Sequence, residues 1–137
     1  MNYFSIPGFK NRTIRNQTRI IKEDISPNKI LLTVANYYAE KGDVIAALAE
    51  LRYPLSSIGL ISAMKGKTRV REIVEPRQCF CYICKKLDSH TLKYIGKMLG
   101  YRDHSTVIHS NKTWQDRIDT DAKCRRDYEN IKIILGI

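Results

Sequence analysis

Residues 91–110 read TLKYIGKMLGYRDHSTVIHS, and the reading of this stretch decides the fold. Thr91 can accept a hydrogen bond from an unpaired N–H at a helix start, and Leu92, Ile95 and Leu99 follow at helical spacing. Gly100 lies just past that helix and takes positive φ without strain. A second helix starts near Asp103, with Val107 and Ile108 as its apolar anchors. Two short helices joined by a turn of about three residues have the arithmetic of a helix-turn-helix. Gly96 lacks a side chain and leaves room for another helix to come close. The second helix opens on Arg102-Asp103-His104-Ser105-Thr106. Polar side chains this short suit a helix N-terminus entering the major groove, where base edges offer donors, acceptors and the thymine methyl.

Helical phase continues outward from this pair. Towards the C-terminus, residues 121–134 place Tyr128, Ile131 and Ile134 one turn apart. Towards the N-terminus, Pro76 suits a first helical turn, with Phe80, Ile83, Cys84 and Leu87 on one face after it. Residues 65–71, KGKTRVR, form a basic loop ahead of that helix. Leu55 to Met64 is an apolar stretch long enough for one short helix. Val44, Ile45, Leu48 and Leu51 mark another, capped by Asp43 and stopped before Pro54. Ser26-Pro27-Asn28 starts a further one, carrying Ile30, Leu31, Val34, Tyr37 and Tyr38. No strand-like alternation bounded by hairpin turns occurs. The expectation is an all-α fold, a helical bundle containing a helix-turn-helix with an N-terminal helical extension. Its expected segments are a basic arm at 1–27, the extension at 28–64 and a DNA-binding domain at 65–137.

Charge agrees with that reading. The 137 residues hold 24 Lys and Arg against 14 Asp and Glu, a net charge of +10. Residues 65–137 carry 16 cations against 9 anions, and residues 1–64 carry 8 against 5. The excess therefore gathers in the half that holds the helix pair, and a polyanionic partner follows, nucleic acid first. Five cations and no anion between Lys10 and Lys22 suit an arm tracking DNA backbone or a solvated face. No apolar run is long enough to cross a membrane, so no membrane partner is expected. The N-terminus sets apolar residues before charged ones, the reverse of a secretory signal. A cytoplasmic location with four reduced cysteines is the expectation.

The motif itself is familiar. RDHSTVIHS at 102–110 closely resembles the RDHTTVLHA-type signature of the C-terminal DNA-binding domain of the bacterial replication initiator DnaA. The resemblance runs back through TLKYIGKMLGY (91–101) and REIVEPRQ (71–78) and forward to the last helix, covering about 67–137. Val34-Ala35-Asn36-Tyr37-Tyr38 is similar to that family's VAEYY-type upstream helix. The resemblance implies that Asp103, His104, Ser105 and Thr106 read bases in the major groove, with His109 near the DNA. It implies that Arg69 enters the adjacent minor groove, which suits a narrow A/T-leaning site. Phosphate contacts are implied for Lys67, Arg71, Arg77, Gln78, Lys85, Thr91 and Lys93, with Arg102 and Lys112 beside them. Those contacts position the domain, while the helix and Arg69 specify the site.

Four positions depart from the family pattern: Ser105 for Thr, Glu75 for Arg, Tyr101 for the second Gly of the turn, and Lys93 for Pro. DnaA proteins also carry an ATPase module upstream of this domain, which the resemblance does not include. The implied setting is the nucleoid of a bacterium, or a phage or mobile element.

Other chemistries fit the residues less well. Gly66-Lys67-Thr68 looks like part of a phosphate loop, but Ile61 stands where the motif needs glycine, so no nucleotide is expected. His104 and His109 are five apart and point about 140° from each other on a helix, a poor metal pair. Cys79, Cys81 and Cys84 cluster without a nearby fourth ligand and read as core thiols, so neither metal nor cofactor is expected. No nucleophile or second carboxylate stands beside Asp103 and His104, and an enzyme is not expected. The functional expectation is sequence-specific binding of double-stranded DNA at DnaA-box-like sites, as a regulator or adaptor in replication or transcription. The alternative is a protein-interaction module whose helices at 28–64 hold a partner while the DNA-binding part only localises it.

Overall fold

In the computed structural model, short polar side chains set the starts of five of the seven described helices. Ser26 accepts from Lys29 N–H at 3.2 Å, Ser56 from Gly59 at 3.2 Å, and Thr91 from Tyr94 at 3.2 Å. Asp103 accepts from Thr106 N–H and Asp121 from Lys123 N–H, both at 2.9 Å. Each satisfies a backbone donor that the helix leaves without a partner. The helices are α1 Pro27–Ala39, α2 Gly42–Glu50, α3 Ser57–Lys65, α4 Arg71–Lys86, α5 Leu92–Met98, α6 His104–Thr120 and α7 Ala122–Leu135. Residues 25–88 and 90–137 are described, so the expected arm at 1–27 falls almost wholly outside the described residues. Among the described residues the fold is all-α, and no helix is long and apolar enough to cross a membrane.

The centre of the molecule is α4. Every residue from Glu75 to Cys84 is buried, a helix covered on all sides rather than along one stripe. It packs most extensively on α6, and also on α1, α2, α3 and α5. One core runs continuously from Ile25 to Leu135, with Tyr38, Phe80 and Trp114 its largest fully buried side chains. The stripes of α1 (Ile30, Leu31, Val34, Tyr38) and α2 (Val44, Leu48) lie in that same core.

Several expectations are corrected by the packing. α4 begins at Arg71, so Pro76 sits inside it and not in its first turn. The ring removes one ladder donor, and the helix continues past it between its packed neighbours. Lys41 is the residue before α2, and Asp43 lies inside the first turn, accepting from Val44 N–H at 2.8 Å. On α6, Val107 and Trp114 are fully buried while Ile108 is 54% exposed, because seven residues return to one face and one residue turns about 100° away. On α7 the inward stripe is Cys124, Asp127, Tyr128, Ile131 and Leu135, leaving Ile134 exposed.

Two buried carboxylates join the helices on one side. Glu75 of α4 meets Arg71 at 2.9 Å, Arg117 of α6 at 3.2 Å and Lys123 of α7 at 3.9 Å. Asp127 of α7 accepts from Tyr37 Oη of α1 at 2.8 Å and pairs with Lys41 at 3.0 Å. Burial pulls the Lys41 ammonium pKa down, but the hydrogen bond and charge of Asp127 outweigh it and hold it above its ordinary value.

Candidate nucleic-acid interface

The loop at residues 66–70 has no regular structure of its own, and two arginines from elsewhere hold it. Arg77 of α4, 7% exposed, donates Nε to Met64 O at 2.7 Å and Nη1 to Thr68 O at 2.7 Å. Its Nη2 donates to Ala63 O and Gly66 O, both at 3.0 Å. Arg102, in the turn before α6, donates Nη2 to the same Gly66 carbonyl at 2.6 Å and Nη1 to Leu99 O. The planar five-donor guanidinium is the side chain that can fix several carbonyls at once. Burial pushes the Arg77 guanidinium down to about 10, with the Arg102 charge adding to the effect, and it remains a cation at neutral pH. The loop, the end of α3 and the turn before α6 thus form one clamped surface.

The turn is as tightly specified. Gly96 admits no Cβ because one would lie 2.0 Å from Arg102 O, and Arg102 N–H donates to Gly96 O at 2.9 Å. The close approach is therefore by the turn's own backbone and not by another helix. Gly100 has φ +81°, and a Cβ there would lie 2.2 Å from Lys65 O at the end of α3. Positive φ and lack of room together require glycine. Tyr101 follows at φ +64° with 78% of its surface exposed.

Beyond the turn, α6 presents His104, Ser105, Thr106, Ile108, His109 and Lys112 to solvent. Asp103 is its cap: Oδ1 accepts both the N–H of Thr106 at 2.9 Å and its hydroxyl at 3.0 Å. Those bonds hold the Asp103 carboxyl below its usual range. His109 Nε2 lies 3.4 Å from Thr113 Oγ1. A hollow joins this face to the loop, lined by Lys65, Lys67, Arg69, Arg77, Arg102 and Thr106 among others. None of the residues lining that hollow is acidic.

The expected site residues fall into two groups. Lys67 and Arg69 on the loop, Lys85 at the end of α4, Lys93 on α5 and Lys112 on α6 are exposed cations. Thr91 caps α5 at the surface. Arg77 and Gln78 are buried, and the Arg77 donors are directed to the end of α3 and into the loop. Arg71 is exposed but paired with Glu75 and, at 3.8 Å, with Asp121. Arg102 turns inward to carbonyls. Lys65, read from the sequence as the start of the basic loop, ends α3 and lines the hollow, and Ile108, read as an apolar anchor, stands between His104 and Lys112 on the open face of α6. The seven-residue spacing of Val107 and Trp114 is the signal that exposes Ile108.

The cysteines lie in the interior, with Cys81 beneath the clamp, against Ser110 of α6 and near Arg77 and Arg102. Cys79, Cys81, Cys84 and Cys124 are all buried, and burial first of all pushes the Cys81 thiol up to about 12 and the Cys124 thiol up to about 11. Thiols so displaced stay protonated at neutral pH. No group of three His, Cys, Asp or Glu side chains is placed to share a metal ion among the described residues.

Two helices set by a tight glycine turn, with a basic loop clamped beside the second, define a helix-turn-helix of the DNA-binding kind. Residues 60–113, from within α3 to the middle of α6, match the family model described as the bacterial dnaA protein helix-turn-helix. This part of the chain is similar to a DnaA-type helix-turn-helix. Two relatives, the chromosomal replication initiator protein DnaA of Ehrlichia ruminantium strains Gardel and Welgevonden, are each 45% identical over 67 residues. The match covers 49% of this chain and 14% of each relative's length.

Proposed function

We propose that the protein binds double-stranded DNA sequence-specifically at DnaA-box-like sites, as a regulator or adaptor in replication. The first turn of α6 enters the major groove with Asp103, His104, Ser105 and Thr106 at the base edges and His109 behind them. Arg69 reaches the neighbouring minor groove from the loop. Lys67, Lys85, Thr91, Lys93 and Lys112 lie at the phosphates, and Arg77 and Arg102 act through the loop they hold. The observation that carries this reading is the shared Gly66 carbonyl. Arg77 from α4 and Arg102 from the α6 turn both donate to it, so the loop and the helix meet a duplex in one preset geometry. Preset geometry lowers the ordering cost of association.

The test is fluorescence anisotropy on a duplex carrying a DnaA box and on its scrambled counterpart. Arg69→Ala is expected to cost about 1–3 kcal/mol on the box and to relax discrimination in the minor-groove half of the site. Unchanged affinity and preference in that variant would overturn the assignment of Arg69. The rival reading, a partner held by residues 28–64, gains nothing from the α1 and α2 stripes, which are occupied by the protein's own core.

A further inference from the structure

A second hollow flanks the start of α6, on the side of α5 rather than of the loop. Lys93 and Lys97, one turn apart on α5, line it with Tyr101, His104 and Ser105. Thr106 faces the loop-side hollow, so the opening turn of α6 divides the surface into two flanks. Tyr101 is the unusual member. It holds φ +64°, a conformation that glycine adopts freely and a tyrosine adopts at a cost, and the residue is 78% exposed. The fold gains little burial from this residue. Asp103 also lines the hollow, but its Oδ1 is engaged by Thr106, and the two lysines with Arg102 leave the hollow positive.

We propose that Tyr101, Lys93 and Lys97 form a second docking platform for the sugar–phosphate backbone of the DNA strand walling the major groove opposite the Arg69 loop. The proposal rests on the DNA-binding reading and adds Tyr101 and Lys97 to Lys93 on the α5 flank of the recognition residues. A major groove is about 12 Å wide with a backbone on each side, so a helix N-terminus seated in it has one strand on either flank. On the α5 flank the lysines meet phosphates, and the tyrosine ring packs on deoxyribose, which every nucleotide presents alike. The platform therefore supplies affinity and register without choosing sequence.

The experiment compares the wild type with Tyr101→Gly and Lys97→Ala on box and scrambled duplexes, by anisotropy across a salt series, alongside thermal melts. Tyr101→Gly is expected to melt at the same or a higher temperature, since it relieves the backbone. It is expected to bind both duplexes roughly three- to tenfold more weakly, by the same factor, as loss of apolar contact predicts. Lys97→Ala is expected to lower the salt slope by about 0.9, the value of one phosphate contact. Wild-type affinity in both variants would overturn the platform, as would a Tyr101→Gly loss confined to the box, which would make the ring a base reader. A wild-type protein that binds neither duplex would instead overturn the DNA-binding reading beneath it.

Discussion

On one side of α4, Arg71, Arg117 and Lys123 converge on the carboxylate of Glu75; on the other, Arg77 and Arg102 converge on the carbonyl of Gly66. Both clusters tie separate helices together, and both rely on basic side chains with buried or half-buried partners. They differ in what remains after pairing. A carboxylate cancels a cation's charge, whereas a carbonyl satisfies its N–H groups and leaves the charge in place. With Asp121 on Arg71 and Asp43 on Lys123, both at 3.8 Å, three carboxylates face three cations, and the Glu75 side is a neutralised joint. The Gly66 side keeps the two arginine charges beneath the exposed Lys65, Lys67 and Arg69, with no acid lining the hollow between them. The same residue types make a staple in one place and a positive surface in the other, and this surface adjoins the helix proposed to enter the major groove.

Breaking the staple gives the largest effect. Glu75→Gln leaves cations facing a buried amide and is expected to destabilise the fold by about 3–5 kcal/mol in urea denaturation. DNA affinity measured well below the unfolding transition should hardly change. Breaking the clamp separates the two roles further. Arg77→Ala strips the donors from two carbonyls at the end of α3 and two in the loop, and is expected to cost about 2–3 kcal/mol of stability. It should also erode discrimination between box and scrambled DNA, because Arg69 loses its fixed perch. Full discrimination in Arg77→Ala would show that the loop needs no clamp.

A smaller effect sharpens the distinction between positioning and reading. Lys85→Ala, at the exposed end of α4, is expected to weaken all duplexes alike and lower the salt slope by about 0.9, with its melting temperature unchanged. The smallest effect concerns pH. The folded-state pKa of Asp103 is depressed by its capping bonds, so its contribution is present above the ordinary carboxylate range and is lost as pH falls through the lowered value. Asp103→Asn keeps a capping oxygen and removes the titration. The acid limb of an ellipticity-against-pH curve should be shallower in that variant than in the wild type.

The helices were legible because their signals are local. Ser26, Thr91 and Asp103 each announce a start within three residues of the N–H they satisfy, and Gly100 announces the turn. Arg69, His104, Ser105 and Lys112, singled out through the resemblance, are exposed. Pro76 and Ile108 were misread for one reason: a residue's place along a helix depends on where the helix begins and which face its neighbours cover. α4 starts five residues before Pro76, and Trp114 sets the buried face of α6.

By itself the order of residues determined the helices among the described residues and the sign of the charge, since caps, spacing and composition act over a few residues, while the motif at 102–110 carried the likeness to a DnaA-type helix-turn-helix. Only the tertiary structure decided which basic residues stay available to a phosphate. Arg102 meets Gly66 across 36 positions and Arg117 meets Glu75 across 42. An arginine's partner is chosen by the packing that brings distant backbone and side chains within 3 Å or so of its nitrogens, and hydrogen bonds are made at no greater range.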